Sequence, residues 1–225
     1  MVRWHPFASL SSLEEAAAQV IMQAAKQAIN QSGCFTIVLA GGTTPRQVYE
    51  QLKTKTTDWS KWHVYFGDER CLPNDSPDRN STMAAAAWLN HVDIPAGQIH
   101  VIPAELGAEQ AAQDYAETLR KIDQFDLVLL GLGEDGHTAS LFPAQDPGTK
   151  PDSPATFAVH DAPKPPPGRV TLSARKLSQA RRVLFLVTGE SKRQAVKSWQ
   201  SGMAIPASAI CPDHGVDVYI DSNLL

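Results

Sequence analysis

Along the chain, short and nearly continuous apolar runs alternate with stretches in which apolar residues return every three or four positions. The runs lie at residues 35–40, 62–66, 127–130 and 183–187. Runs of this length without a polar face fit parallel strands covered on both sides. Shorter segments at 99–102, 156–160, 169–172 and 216–220 have strand composition and complete the set. Between them, Leu13, Ala17, Val20, Ile21, Ala24 and Ala28 mark one helical face, with Ser12 and Glu15 at capping-box spacing and Gly33 as a stop. The pattern predicts further helices at 45–52, 82–89 (capped by Asn80 or Ser81) and 104–122, a helix opened by Thr188–Gly189–Glu190–Ser191–Lys192–Arg193, and a short one at 205–210. Strands alternating with helices make an α/β fold.

Length and composition narrow the picture. A chain of 225 residues, 43% hydrophobic, suits a single α/β domain over 1–225 with a full core. Its net charge of −4 argues against a nucleic-acid partner, which would call for a basic excess. No stretch approaches a membrane span, and the N-terminal MVRWHPFASL has no long apolar segment. The cysteines, Cys34, Cys71 and Cys211, have no paired spacing, so a reduced, cytoplasmic setting is expected, and a monomer suits this size. Seven histidines include no HExxH or other close pair, so no metal site is expected. Cys71 lacks a base at a recognisable spacing and reads as a packing residue. No G-x-S-x-G elbow surrounds Ser140.

The chemistry gathers where strands give way to turns. The run at 127–130 breaks on Gly131, Gly133 and Gly136, and the turn carries Glu134, Asp135 and His137. Ligands of open α/β sheets bind beyond the carboxyl ends of the strands, so glycines here deliver a histidine to a binding crevice. The same glycines match G-x-G-x-x-G, but Asp135 stands where a pyrophosphate would sit and no acidic strand end follows. A second turn, Gly41–Gly42–Thr43–Thr44–Pro45–Arg46, combines close backbone approach, two hydroxyls and a helix N-terminus, a cradle for a phosphate monoester. It lacks a Walker lysine. Asp68, Glu69 and Arg70 form a third cluster, expensive to bury unless paired or bound to ligand. The turn before Lys192 reads as a second anion site, and the stiff Lys164–Pro165–Pro166–Pro167–Gly168–Arg169 segment as a flap presenting Arg169.

Taken together, AGGTTP (40–45), GDER (67–70), GLGEDGHTASLFP (131–143), PKPPPGRVTLS (163–173) and the weaker TGESK (188–192) resemble the 6-phosphogluconolactonase family. Its superfamily also holds glucosamine-6-phosphate deaminase and ribose-5-phosphate isomerase. Two positions depart from the family pattern, Ala40 and Arg79, where serine is usual. The resemblance implies a Rossmann-like three-layer sandwich with a mostly parallel central sheet, no cofactor, and a phosphosugar lactone as small-molecule partner. The implied reaction is hydrolysis of 6-phospho-D-glucono-1,5-lactone to 6-phospho-D-gluconate in the oxidative pentose phosphate pathway. His137 would be the general base, Asp135 would orient it or hold sugar hydroxyls, and Arg70 or Arg169 would meet the oxyanion. Substrate binding is expected from Gly41, Gly42, Thr43, Thr44, Arg46, Asp68, Glu69, Asn80, Arg169 and Lys192, with the threonines, Arg46 and Lys192 near the phosphate. An amino-sugar-phosphate deaminase or isomerase, or a non-catalytic sugar-phosphate sensor, are the alternatives. Deaminases share the loop as far as Asp–Gly–His but continue to Asn–Glu–Pro, where this chain reads His137–Thr138–Ala139–Ser140–Leu141–Phe142–Pro143.

Overall fold

The computed structural model describes all 225 residues. The apolar runs become β2 (Phe35–Leu39), β3 (Trp62–Phe66), β6 (Leu127–Gly131) and β9 (Val183–Val187), buried almost throughout. With β1 (Val2–Phe7), β5 (Ile99–His100) and β10 (Val216–Asp221) they form a seven-stranded sheet in the order β1-β10-β9-β6-β2-β3-β5, every pair parallel. A second sheet of β4 (Asp68–Arg70), β8 (Arg169–Leu172) and β7 (Thr156–Val159) is antiparallel.

Helices cover both faces, as the three-layer reading requires. The principal ones are α1 (Leu10–Ser32), α2 (Thr43–Leu52), α3 (Asn80–Ala87), α4 (Ala108–Leu119), α5 (Ala174–Ser178) and α6 (Arg193–Gln200). Strand register separates the layers. Phe35 pairs with Trp62 and Ile37 with Leu127, so these share one face, where Trp88 just past α3 packs on Trp62 with ring centroids 5.7 Å apart. Val183 pairs with Val128, one residue out of phase, so Phe185 lies on the other face, where Trp199 of α6 meets it at 4.8 Å. Together these layers bury one apolar core of 57 residues.

Several boundaries differ from the pattern. The first helix starts three residues before the expected box: Ser9 is its N-cap, accepting from the Ser12 amide, and Gly33 stops it at φ 82°. The expected 104–122 helix is split, with a 3-10 turn at Ala104–Leu106 and Gly107 at φ 88° before α4. The helix at 205–210 is a 3-10 turn, Pro206–Ala209. Strand β1 was not foreshadowed, because VRWHPF has neither an apolar run nor clean alternation. It is an edge strand, tied down by Arg3 and His5 converging on Asp217 of β10 at 2.8 and 2.9 Å.

Topology fixes where a ligand can bind. From β2 the chain winds outward through β3 to β5, then returns to β6 on the other side of β2 and winds the opposite way through β9 to β10. The winding reverses between β2 and β6, and in such sheets the crevice opens beyond the carboxyl ends at that point.

Candidate active site

At that switch point the loops after β2, β3 and β6 surround a cavity of about 250 Å³. Its lining brings together Gly41, Gly42, Asp68, Arg70, Asn80, His137, Arg169 and Lys192 of the expected residues, and adds Lys164, Ala139 and Phe142.

The turn after β6 is built to hold one imidazole. Gly133 N–H donates to His137 O (2.7 Å), Gly136 N–H to Gly133 O (3.1 Å), and the Thr138 hydroxyl to Gly131 O (2.8 Å). A Cβ on Gly133 would lie 2.0 Å from His137 Nδ1, so only glycine admits the ring. Asp135 does not line the cavity; it sits behind the ring, its Oδ1 2.5 Å from His137 Nδ1 and 3.1 Å from the His137 amide. With Asp135 ionised, Nδ1 is the donor, leaving the Nε2 lone pair available. Burial opposes the Asp135 charge, but hydrogen bonds from the His137 amide and ring, with the ring's charge, hold its carboxyl below the ordinary carboxylate range. The Phe142 ring packs beside the imidazole at 4.9 Å.

Strand alternation sorts the GDER cluster. Asp68 and Arg70 face the cavity, whereas Glu69 points the other way and is fully buried. Glu69 accepts from the amides of Asn80 (2.7 Å) and Ser81 (2.8 Å) at the start of α3 and lies 3.6 Å from buried Arg79. Glu69, expected to bind substrate, thus lies outside the cavity lining, with its carboxylate capping the start of α3. Asn80, expected as a cap, is the first helical residue, and its side-chain Nδ2 donates to Asp68 O (2.9 Å) and Oδ1 (3.0 Å). The Ser140 hydroxyl, 2.6 Å from Asp68 Oδ2, fixes the other carboxylate oxygen. Arg70 donates to Asp78 O at 2.5 Å, and its buried Nε has no partner in the protein.

The Pro-rich segment works in reverse of the flap reading. Arg169 donates to the carbonyls of Lys164 (3.0 Å), Pro165 (3.2 Å) and Pro166 (3.2 Å), with its guanidinium 5.9 Å from the Phe142 ring centre. It lines the cavity but also anchors the segment, which presents Lys164. The charge of Lys164 in that segment was the available clue. Burial lowers the Arg169 pKa from its ordinary value, with Arg70 adding to the effect and Asp68 opposing it. Burial likewise lowers the Lys192 pKa, partly offset by Glu134.

The first turn is placed in part as read. Gly42 adopts φ 111° at the start of α2, and a Cβ on Gly41 would lie 2.0 Å from Asn80 Oδ1, which explains the glycine pair. Thr43 and Thr44 stand at the helix N-terminus outside the cavity lining, and Thr44 Oγ1 is 2.6 Å from Thr188 Oγ1. Arg46 is not brought to the site. Pro45, Val48, Tyr49 and Leu52 form the buried face of α2, and Arg46 points outward, 3.5 Å from Glu50. No group of three or more His, Cys, Asp or Glu side chains is arranged to hold a metal ion. All three cysteines are free, and no helix is long and apolar enough to cross a membrane.

A family model described as glucosamine-6-phosphate isomerases/6-phosphogluconolactonase matches residues 8–219. The chain belongs to that family. It is 44% identical over 179 residues to a 6-phosphogluconolactonase of Synechocystis sp., covering 76% of this chain and 73% of that protein. It is 36% identical over 213 residues to a Mycobacterium tuberculosis protein of the same name, covering 87% and 86%. The crystal structure of 6-phosphogluconolactonase from Thermotoga maritima superimposes with a TM-score of 0.90 at 27% identity, covering 98% of this chain and all of that one. Family and fold are thus as the motifs indicated.

Proposed function

We propose that this chain hydrolyses 6-phospho-D-glucono-1,5-lactone to 6-phospho-D-gluconate, with His137 as a metal-free general base. One observation carries the reading: the Asp135–His137 pair opens onto the same cavity as Lys164, Lys192, Arg70 and Arg169. A base and a cluster of cations at one sheet edge suit a neutral ester that bears a phosphate. The names of the relatives above support the same substrate.

In the first step water attacks the lactone carbonyl carbon while its proton passes to His137 Nε2. The imidazolium that forms is stabilised by Asp135 on Nδ1, 2.5 Å away. The carbonyl electrons move to oxygen, and Arg70 or Arg169, both of which line the cavity, stabilises that oxyanion. When the intermediate collapses, the bond from the carbonyl carbon to the ring oxygen breaks and His137 returns its proton to that oxygen. The product acid then ionises, releasing one proton to solvent. Lys164 and Lys192, with the amides at the start of α2, take the phosphate. Asp68, held by Ser140 and Asn80, is a ready acceptor for sugar hydroxyls.

A positioned base contributes about 10²–10⁴-fold to rate, so His137→Ala should lower kcat by that factor while the fold is kept. Proton release corrected for spontaneous lactone opening measures it. Full kcat in the variant would remove His137 from the mechanism.

A further inference from the structure

Glu134 lies beside Asp135 in the turn yet makes different contacts. One of its carboxylate oxygens is 3.8 Å from Lys164 Nζ and the other 3.9 Å from Lys192 Nζ. Both lysines line the cavity and come from separate segments, the Pro-rich loop and the turn after β9; Glu134 itself does not line it. These separations exceed those of charge-assisted hydrogen bonds, so the carboxylate offsets the ammonium charges while leaving their N–H groups free to donate. Nothing in the hydrolytic step uses it.

We propose that Glu134 is a built-in counter-charge that tunes the lysine pair for product release, an inference that rests on the phosphosugar-lactone reading. Hydrolysis converts the uncharged lactone group of a phosphorylated substrate into a carboxylate, so the product carries one more negative charge than the substrate. A purely cationic site would hold the product more tightly than the substrate. A fixed carboxylate between the two lysines repels both anions, and the more anionic product more strongly. Glu134 thereby acts as a specificity-determining residue for substrate over product.

The test is Glu134→Gln, which keeps shape and removes charge at a half-exposed position. An exposed ion pair is worth roughly a few-fold in an equilibrium constant and Glu134 makes two, so the Kd of 6-phosphogluconate should fall about three- to tenfold. Titration calorimetry reads that Kd directly, and KM for the lactone should fall by a smaller factor. Because half-exposed charges are screened, the gap between variant and wild type should narrow as salt is raised. An unchanged or weaker Kd, or a gap indifferent to salt, would overturn the proposal. Failure of the substrate reading would instead appear in the wild type, as no binding of 6-phosphogluconate and no preference for a phosphorylated lactone.

Discussion

The imidazole of His137 is useful because of its neighbours in the turn. Gly133 leaves space for the ring, and Asp135 holds Nδ1 of an imidazole that lines the cavity. Against the cost of burial, the His137 amide and ring hold the Asp135 carboxyl below its ordinary range, so the carboxylate is ionised at neutral pH. On the proposed mechanism, Asp135→Asn removes the negative charge that stabilises the imidazolium formed as water attacks. The variant's kcat should therefore lose part of the ~10²–10⁴-fold that a positioned base supplies. Proton release by the variant, corrected for spontaneous lactone opening, measures this, and an unchanged kcat would contradict the pairing. Sequence alone left Asp135 between orienting the ring and holding sugar hydroxyls. Two residues of separation fit either role, and only the folded turn brings the carboxylate behind the ring.

At the scale of elements, the joint between β4 and α3 shows what local pattern conveys and what it hides. GDER could be recognised as a costly cluster of charges at a strand end. That Asp68 and Arg70 face the cavity while Glu69 faces α3 depends on three residues forming a strand, too short for periodicity to register. Arg79, one of the two departures from the family pattern, is the buried partner: it is 3.6 Å from Glu69, 2.8 Å from Glu105, and donates to Ile102 O at 2.7 Å. Removing one member of a buried pair costs about 3–5 kcal/mol. Glu69→Gln should therefore lower Tm by about 10 °C, given the size of the chain. Calorimetric unfolding measures this. An unchanged Tm with a raised KM would return Glu69 to the substrate site. Strand β1 escaped notice for a related reason, since edge strands need no apolar run and its ties to Asp217 span the length of the chain.

For the whole molecule, the strands β2, β3, β6 and β9 and most helices were legible because burial on both faces writes itself into sequence as apolar runs. So was the site's location, because glycine-rich turns directly follow buried strands at the sheet's switch point. Less legible was which cations meet at the cavity. Lys164 arrives through a Pro-rich loop that Arg169 ties down, and Arg46 is turned away by the packing of its own helix. Those contacts connect residues far apart in sequence. The whole arrangement makes one claim, that a lactone-opening base and a phosphate-binding cluster share a cavity. Proton release with 6-phosphogluconolactone, run beside glucono-lactone lacking the phosphate and corrected for spontaneous opening, tests it directly. The account predicts rapid turnover of the phosphorylated lactone and little of the other. Equal turnover of both would contradict the phosphate assignment of Lys164 and Lys192, and acceleration of neither would contradict the hydrolase.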